Sequence, residues 1–194
     1  MRLGHRCSLR LKGYDYSQSG AYFVTICTTG RLCLFGEVVE DRMRLNAYGE
    51  VVSEEWLRGA DLRPYLQLST DEFVVMPNHI HGIVRIVADA ASHHVDGVGA
   101  RRRRAPTEGF GKPVSGSIPT IIRAFKAATT KRIRAATGAP PGAVWQRNYY
   151  EHVIRNEKSL DRIRQYIADN PLSWAIDPDN PASVTPEPKD AWRT

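Results

Sequence analysis

The chain is predicted to fold as a single α+β domain. Short runs rich in β-branched and aromatic residues come in hairpin pairs, apolar residues at helical spacing lie between them, and the two patterns alternate along the whole chain. At 194 residues it can build one well-cored domain with extensions, but not two ordinary ones.

The elements follow in order. "AYFVTICTT" (Ala21 to Thr29) ends at Gly30 and reads as a strand, and "CLFGEVVEDRMRLN" reads as a hairpin. Asn46 is placed to cap a helix from Ala47, whose apolar stripe of Val51, Val52, Trp56 and Leu57 precedes Gly59 and Pro64. "DEFVV", a Met-Pro-Asn turn and "HIHGIVRIV" make a second strand pair. Ser117 and Pro119 open a helix carrying Ile118, Ile121, Ile122, Phe125 and Ile133 up to Gly138. "YYEHVI" is another strand. Asn156 caps a last helix with Leu160, Ile163 and Ile167, which must end near Asn170 because the residue before Pro171 avoids helical angles. An antiparallel sheet covered by helices, in a ferredoxin-like or RRM-like arrangement, accommodates this order. The domain is expected over residues 1–175, with a flexible basic loop near 88–116 and a proline-rich, partly ordered tail over 176–194.

Composition narrows the setting. Lys+Arg 27 against Asp+Glu 21 gives a net charge of +6, which favours polyanionic partners. The basic start lacks the apolar core of a signal peptide, and no run is long enough for a membrane helix, so a cytoplasmic, nucleoid-associated protein is expected. Cys7, Cys27 and Cys33 follow neither a disulfide framework nor a metal-binding spacing and are read as reduced, Cys27 as a small core residue.

The residues with chemistry begin at "VVMPNHIHGIV". On a strand His79 and His81 point to one face and Ile80 to the other, so two imidazoles converge. H-x-H alone is a weak signal, shared by satisfied strand histidines and by unrelated zinc enzymes. A metal needs a third anchor, and no Cys, Asp or Glu has an evident spacing for it. In "RQYIADNP", Tyr166 and Asn170 are four apart and lie within roughly 40° on one helix face, so a phenol and an amide project together.

These segments together resemble the single-tyrosine HUH transposases, of the insertion-sequence-200-like and REP-associated kind. The resemblance rests on "MPNHIHGIV", "VWQRNYYEHVIRN" (Val144 to Asn156) and "LDRIRQYIADNPLSW" (Leu160 to Trp174), in that order, and spans roughly residues 14 to 175. It implies His79, His81 and Asn170 as ligands of Mg²⁺ or Mn²⁺ and Tyr166 as nucleophile. Many members carry Gln where this chain has Asn170; the Asn-Pro pair is like the REP-associated branch. The implied reaction is cleavage and rejoining of single-stranded, hairpin-containing DNA. Tyrosine attack on phosphorus gives a 5′-phosphotyrosine and a free 3′-OH, and conserves the bond energy for strand transfer. The Arg-containing loop and the tail depart from the family pattern. Members act as monomers or homodimers, and the tail favours a monomer here.

From Arg101 through Arg147 there are 11 Lys/Arg against one acidic residue, Glu108. Arg123, Lys126, Lys131, Arg132 and Arg134 on the second helix, with Trp145, Arg147 and Arg155, are the expected DNA contacts, combining charge with stacking surface. Tyr149 and Tyr150 are rival nucleophiles without an amide one helical turn away, and are read as core and base-stacking aromatics. His152 is either a neighbour of the site or an exposed strand residue, and His93-His94 are bystanders. Two other functions compete: a non-catalytic nucleic-acid-binding module, which leaves H-x-H beside Tyr-x-x-x-Asn as coincidence, and a small-molecule metallohydrolase, which leaves the basic segment and Tyr166 unexplained.

Overall fold

The computed structural model describes residues 11, 13–87, 114–137 and 142–183. In chain order the elements are β1 (Gly20–Cys27), β2 (Gly36–Val39), β3 (Arg42–Leu45), α1 (Ala47–Asp61), β4 (Leu66–Gln67), β5 (Phe73–Val75), β6 (His79–Ile86), α2 (Ile118–Thr137), β7 (Tyr150–Ile154) and α3 (Glu157–Asp169). The fold is mixed α+β on an antiparallel sheet, as the sequence predicts. The tetra-arginine run, His93-His94 and Cys7 lie outside the described residues.

β1 is central, paired antiparallel with β6 on one side and β7 on the other. β4 and β5 both pair with β6, at its two ends, and so share the far edge of the sheet. β2 and β3 form a separate two-stranded sheet whose turn places Glu40 and Asp41 at positive φ. Two caps predicted from sequence form as expected: the Asn46 side chain accepts from the amides of Tyr48 and Gly49, and Asn156 from that of Ser159.

Strand alternation assigns residues to two faces. Tyr22, Val24 and Ile26 of β1 and Ile80, Val84 and Ile86 of β6 join α1 (Val52, Trp56) and α2 (Ile118, Ile121, Ile122, Phe125, Ile133) in the larger core. Gly82 belongs to this face: a Cβ there would lie 2.4 Å from the Trp56 ring, so only glycine lets the indole lie against the strand. On the opposite face Phe23 and Ile83 meet Leu160, Ile163 and Ile167 of α3 in a smaller cluster. His79 and His81 have the parity of Ile83 and therefore sit under α3.

Candidate active site

Both histidines are fully or nearly fully buried, at 0% and 3% exposure. Their Nε2 atoms are 3.0 Å apart. The other ring nitrogens are held from the side: His79 Nδ1 is 2.8 Å from Asn78 Oδ1, and His81 Nδ1 is 2.8 Å from Thr25 Oγ1 on the neighbouring strand. The Asn78 amide nitrogen donates to the carbonyls of Arg31 and Asp179, so its Oδ1 is the acceptor. His79 Nδ1 therefore carries the hydrogen and presents a bare lone pair at Nε2. Burial pushes the His79 imidazole below its usual range against the opposing pull of Asp177, Asp179 and Asn170. Burial also pushes His81 well below that range, and its neighbour His79 adds to the effect. Both are thus held neutral, the ligand form of imidazole.

Tyr166 and Asn170 reach this point from α3. The Tyr166 hydroxyl is 3.4 Å from His81 Nε2, and its ring packs edge-on against Phe23 and His81. Asn170 caps α3 with helical dihedrals (φ −59, ψ −41), so it keeps the face of Tyr166 one turn later. It is 2% exposed, and its Oδ1 has no hydrogen-bond partner among the described residues. An orphaned buried carbonyl is costly unless something satisfies it.

These observations fit a divalent cation. Two donors in adjacent positions on an octahedral ion at about 2.1 Å stand roughly 3 Å apart, the separation of the two Nε2 atoms. One cation there would satisfy the bare Nε2 of His79, the Nε2 of His81 beside it and the partnerless amide oxygen together. The two imidazoles with Asp177, whose ligand atoms all lie within 4.8 Å of one another, form a group able to hold a metal ion.

Asp177 was not among the sequence-predicted ligands. It lies in the segment assigned to the tail, which here crosses the His79 end of β6. Arg31 pairs with Asp179 at 2.7 Å and donates to the Pro178 carbonyl, Asn78 holds the Asp179 carbonyl, and the Trp174 ring lies 6.1 Å from that of His79. Burial raises the Asp177 carboxyl above its usual range, with His79 opposing. The only advance signal was the Asp-Pro-Asp-Asn turn chemistry just after α3. Cys27 is half-buried rather than core, its thiol directed at Asp179 Oδ2 (3.8 Å), and neither Cys27 nor Cys33 is in a disulfide among the described residues.

α3 is anchored over the site by an ion cluster. Glu72, 5% exposed, accepts from Arg85 of β6 (2.6 and 3.0 Å) and from Arg164 of α3 (2.9 Å). Burial works to raise the Glu72 carboxyl, but the two guanidiniums outweigh it and hold it below its usual range.

The expected DNA contacts divide. Arg123, Lys131, Arg134 and Arg147 line a groove of about 560 Å³ between α2 and the 143–147 segment. Arg123, Lys131, Arg147 and Arg155 are exposed. Three others have protein partners. Lys126 donates to the carbonyls of Gln146, Arg147 and Asn148, and burial lowers its pKa to about 8, so it fastens a loop. Arg132 pairs with Glu54 and Glu55 of α1. Trp145 is 7% exposed, with its indole N–H on Thr129, so its ring belongs to the core and not to a stacking surface. Tyr149 lies beneath Lys126 and Tyr150 edge-on to Phe23.

No family model matches the chain. Its fold is similar to that of a REP-associated tyrosine transposase solved bound to a REP hairpin, with a TM-score of 0.53 and 19% identity over 84% of this chain and 73% of that one. Among the described residues no helix is long and apolar enough to cross a membrane. By sequence the chain is 41% identical over 173 residues to an uncharacterized protein of Haemophilus influenzae, covering 89% of this chain and 92% of that one. The chain belongs to the same protein family as that Haemophilus influenzae protein.

Proposed function

We propose that the protein is a metal-dependent endonuclease and strand transferase, an HUH-type tyrosine transposase, acting on single-stranded or hairpin DNA through a covalent 5′-phosphotyrosine. The observation that carries this reading is the gathering of a phenol hydroxyl, two buried imidazole Nε2 atoms and the buried side chain of Asn170 beside His79 under α3. A nucleic-acid-binding module without catalysis has no use for that arrangement. The likeness in fold to a transposase carrying a DNA hairpin supports the class of partner.

His79, His81 and Asn170 would hold Mg²⁺ or Mn²⁺, which when bound withdraws charge from the scissile phosphate. Asn78 and Thr25 fix the imidazole orientations. Tyr166 is partly buried, its ring held edge-on by Phe23 with its hydroxyl beside His81. Its Oη forms the bond to phosphorus, the bond from phosphorus to the 3′-oxygen breaks, and the departing oxygen ends as a 3′-OH carrying a proton, with the phenolic proton released to solvent. In the reverse direction a 3′-OH attacks the phosphotyrosine and frees the phenol, joining strands without another energy source. Arg123, Lys131 and Arg147 in the α2 groove, with Arg155 at the end of β7, would steer and hold the phosphate backbone.

The test is incubation of the protein with hairpin DNA labelled at its 3′ end and Mn²⁺, followed by a denaturing gel. Labelled DNA remaining on the parent protein supports the reading. Tyr166→Phe should lose the adduct by roughly 10³-fold or more while its DNA affinity stays within about twofold. An adduct formed normally by Tyr166→Phe would remove Tyr166 from the chemistry.

A further inference from the structure

The segment after α3 places a carboxylate where neither the sequence pattern nor the proposed ligand set requires one. We propose that Asp177 is a fourth protein ligand to the cation held by His79, His81 and Asn170, making the centre a two-imidazole, two-oxygen set. This inference rests on the metal site proposed above and extends it.

Three observations support it. Asp177 Oδ2 is 3.9 Å from His79 Nε2. Two ligands on one ion with bonds of about 2.1 Å can stand up to about 4.2 Å apart, so this pair already spans one coordination sphere. The second observation is the direction of the lone pairs. Because the His79 hydrogen is on Nδ1, committed to Asn78, the ring turns its Nε2 lone pair into the space shared by His81 Nε2 and the Asp177 carboxylate, and at 3.9 Å no hydrogen bond joins it to that carboxylate. A shared cation would join them. The third is the disposition of the carboxylate itself. Asp177 is 5% exposed; its Oδ1 accepts from the Asp179 amide at 2.6 Å, which leaves Oδ2 for the site, and Arg31 is committed to Asp179.

Asn78 ties the two ligands together. Its Oδ1 orients His79 and its Nδ2 holds the carbonyl of Asp179, so one side chain sets both the imidazole and the segment bearing the carboxylate. A second hard oxygen donor with full negative charge shifts the centre toward Mg²⁺ and Mn²⁺ and away from metals that prefer nitrogen and sulfur.

The experiment is Mn²⁺ binding to the full chain without DNA, by calorimetry and by loss of the free-ion electron paramagnetic resonance signal. Asp177→Asn keeps the shape and the acceptor for Asp179 but removes the charge, and should weaken Mn²⁺ binding by roughly 10- to 100-fold. Asp177→Glu should retain most of the affinity. Asp179→Asn, which breaks the Arg31 pair but removes no ligand, should lose far less than Asp177→Asn. Parental Mn²⁺ affinity in Asp177→Asn would overturn the proposal while leaving the His79, His81 and Asn170 site intact. Equal losses in Asp177→Asn and Asp179→Asn would also overturn it, because docking of the segment would then be the cause. Absence of Mn²⁺ binding in the parent would remove the metal site and this proposal together.

Discussion

The two faces of the sheet are built for different ends. Under α1 and α2 the β1 and β6 residues are Tyr22, Val24, Ile26, Ile80, Val84 and Ile86, and their partners are aliphatic or aromatic. Under α3 the same strands offer Phe23, Ile83 and the small Ala21 to an apolar cluster and give other positions to Thr25, His79, His81 and Arg85. One strand, β6, serves both because alternation separates the faces. The fold is therefore held mainly from one side, and the polar residues collect on the other, where buried groups are oriented by hydrogen bonds rather than packing. Substitutions should then separate stability from metal binding according to face.

The largest effect on stability is expected from Trp56. Its ring stacks on Phe73, meets Phe125 edge-on and covers Gly82. Trp56→Ala should cost about 3–5 kcal/mol in urea unfolding, with Mn²⁺ affinity of the folded protein unchanged. His81→Ala should show the opposite pattern: Mn²⁺ affinity falls by at least roughly 10- to 100-fold, while stability changes by about 1–2 kcal/mol. Unaltered Mn²⁺ binding in His81→Ala would return the histidine pair to a merely satisfied core.

Glu72 sharpens the comparison, because it is the charged link that holds α3 on the polar face. Removing it strands Arg85, but both arginines are partly exposed, so Glu72→Gln should cost only about 1–2 kcal/mol. Its carboxyl is held below the usual range, so its contribution is complete above that range and is lost as pH falls through the depressed folded value. Thermal melts from pH 6 down to about pH 3 should converge for parent and Glu72→Gln at the acid end. A constant gap at every pH would mean that the ion cluster does not hold the helix. The smallest effect is expected at the groove: Arg147→Ala should weaken DNA binding uniformly across sequences and lower the salt dependence by about one counterion, measurable by fluorescence anisotropy at several salt concentrations.

Much of this architecture is legible in local sequence because local rules determine it. Asn46 and Asn156 announce their helices by short-range capping, H-x-H declares one strand face, and Tyr166 and Asn170 declare one helix face. What the sequence hides depends on distant partners. Asp177 lies in a stretch with no periodicity, and its place is set by Asn78 and Arg31, about a hundred or more residues earlier. Arg132 reads as a free cation until Glu54 and Glu55 are seen beside it, and Trp145 as exposed until Thr129 takes its N–H. β4, two residues long, is too short to carry a pattern. The β2–β3 hairpin is legible in its sequence, but that it stays apart from the main sheet is a tertiary outcome.

The central claim is that the phenol beside the histidines, and not another tyrosine, becomes joined to DNA. The sequence allows a direct assay, since trypsin releases Gln165 to Lys189 with Tyr166 as its single tyrosine, and Asn148 to Arg155 with both Tyr149 and Tyr150. After reaction with hairpin DNA and Mn²⁺, nuclease trimming and mass spectrometry should find the nucleotide remnant on the Gln165 peptide, localised to Tyr166. A remnant on the Asn148 peptide, or hydrolysed DNA with no protein-bound nucleotide, would contradict the account.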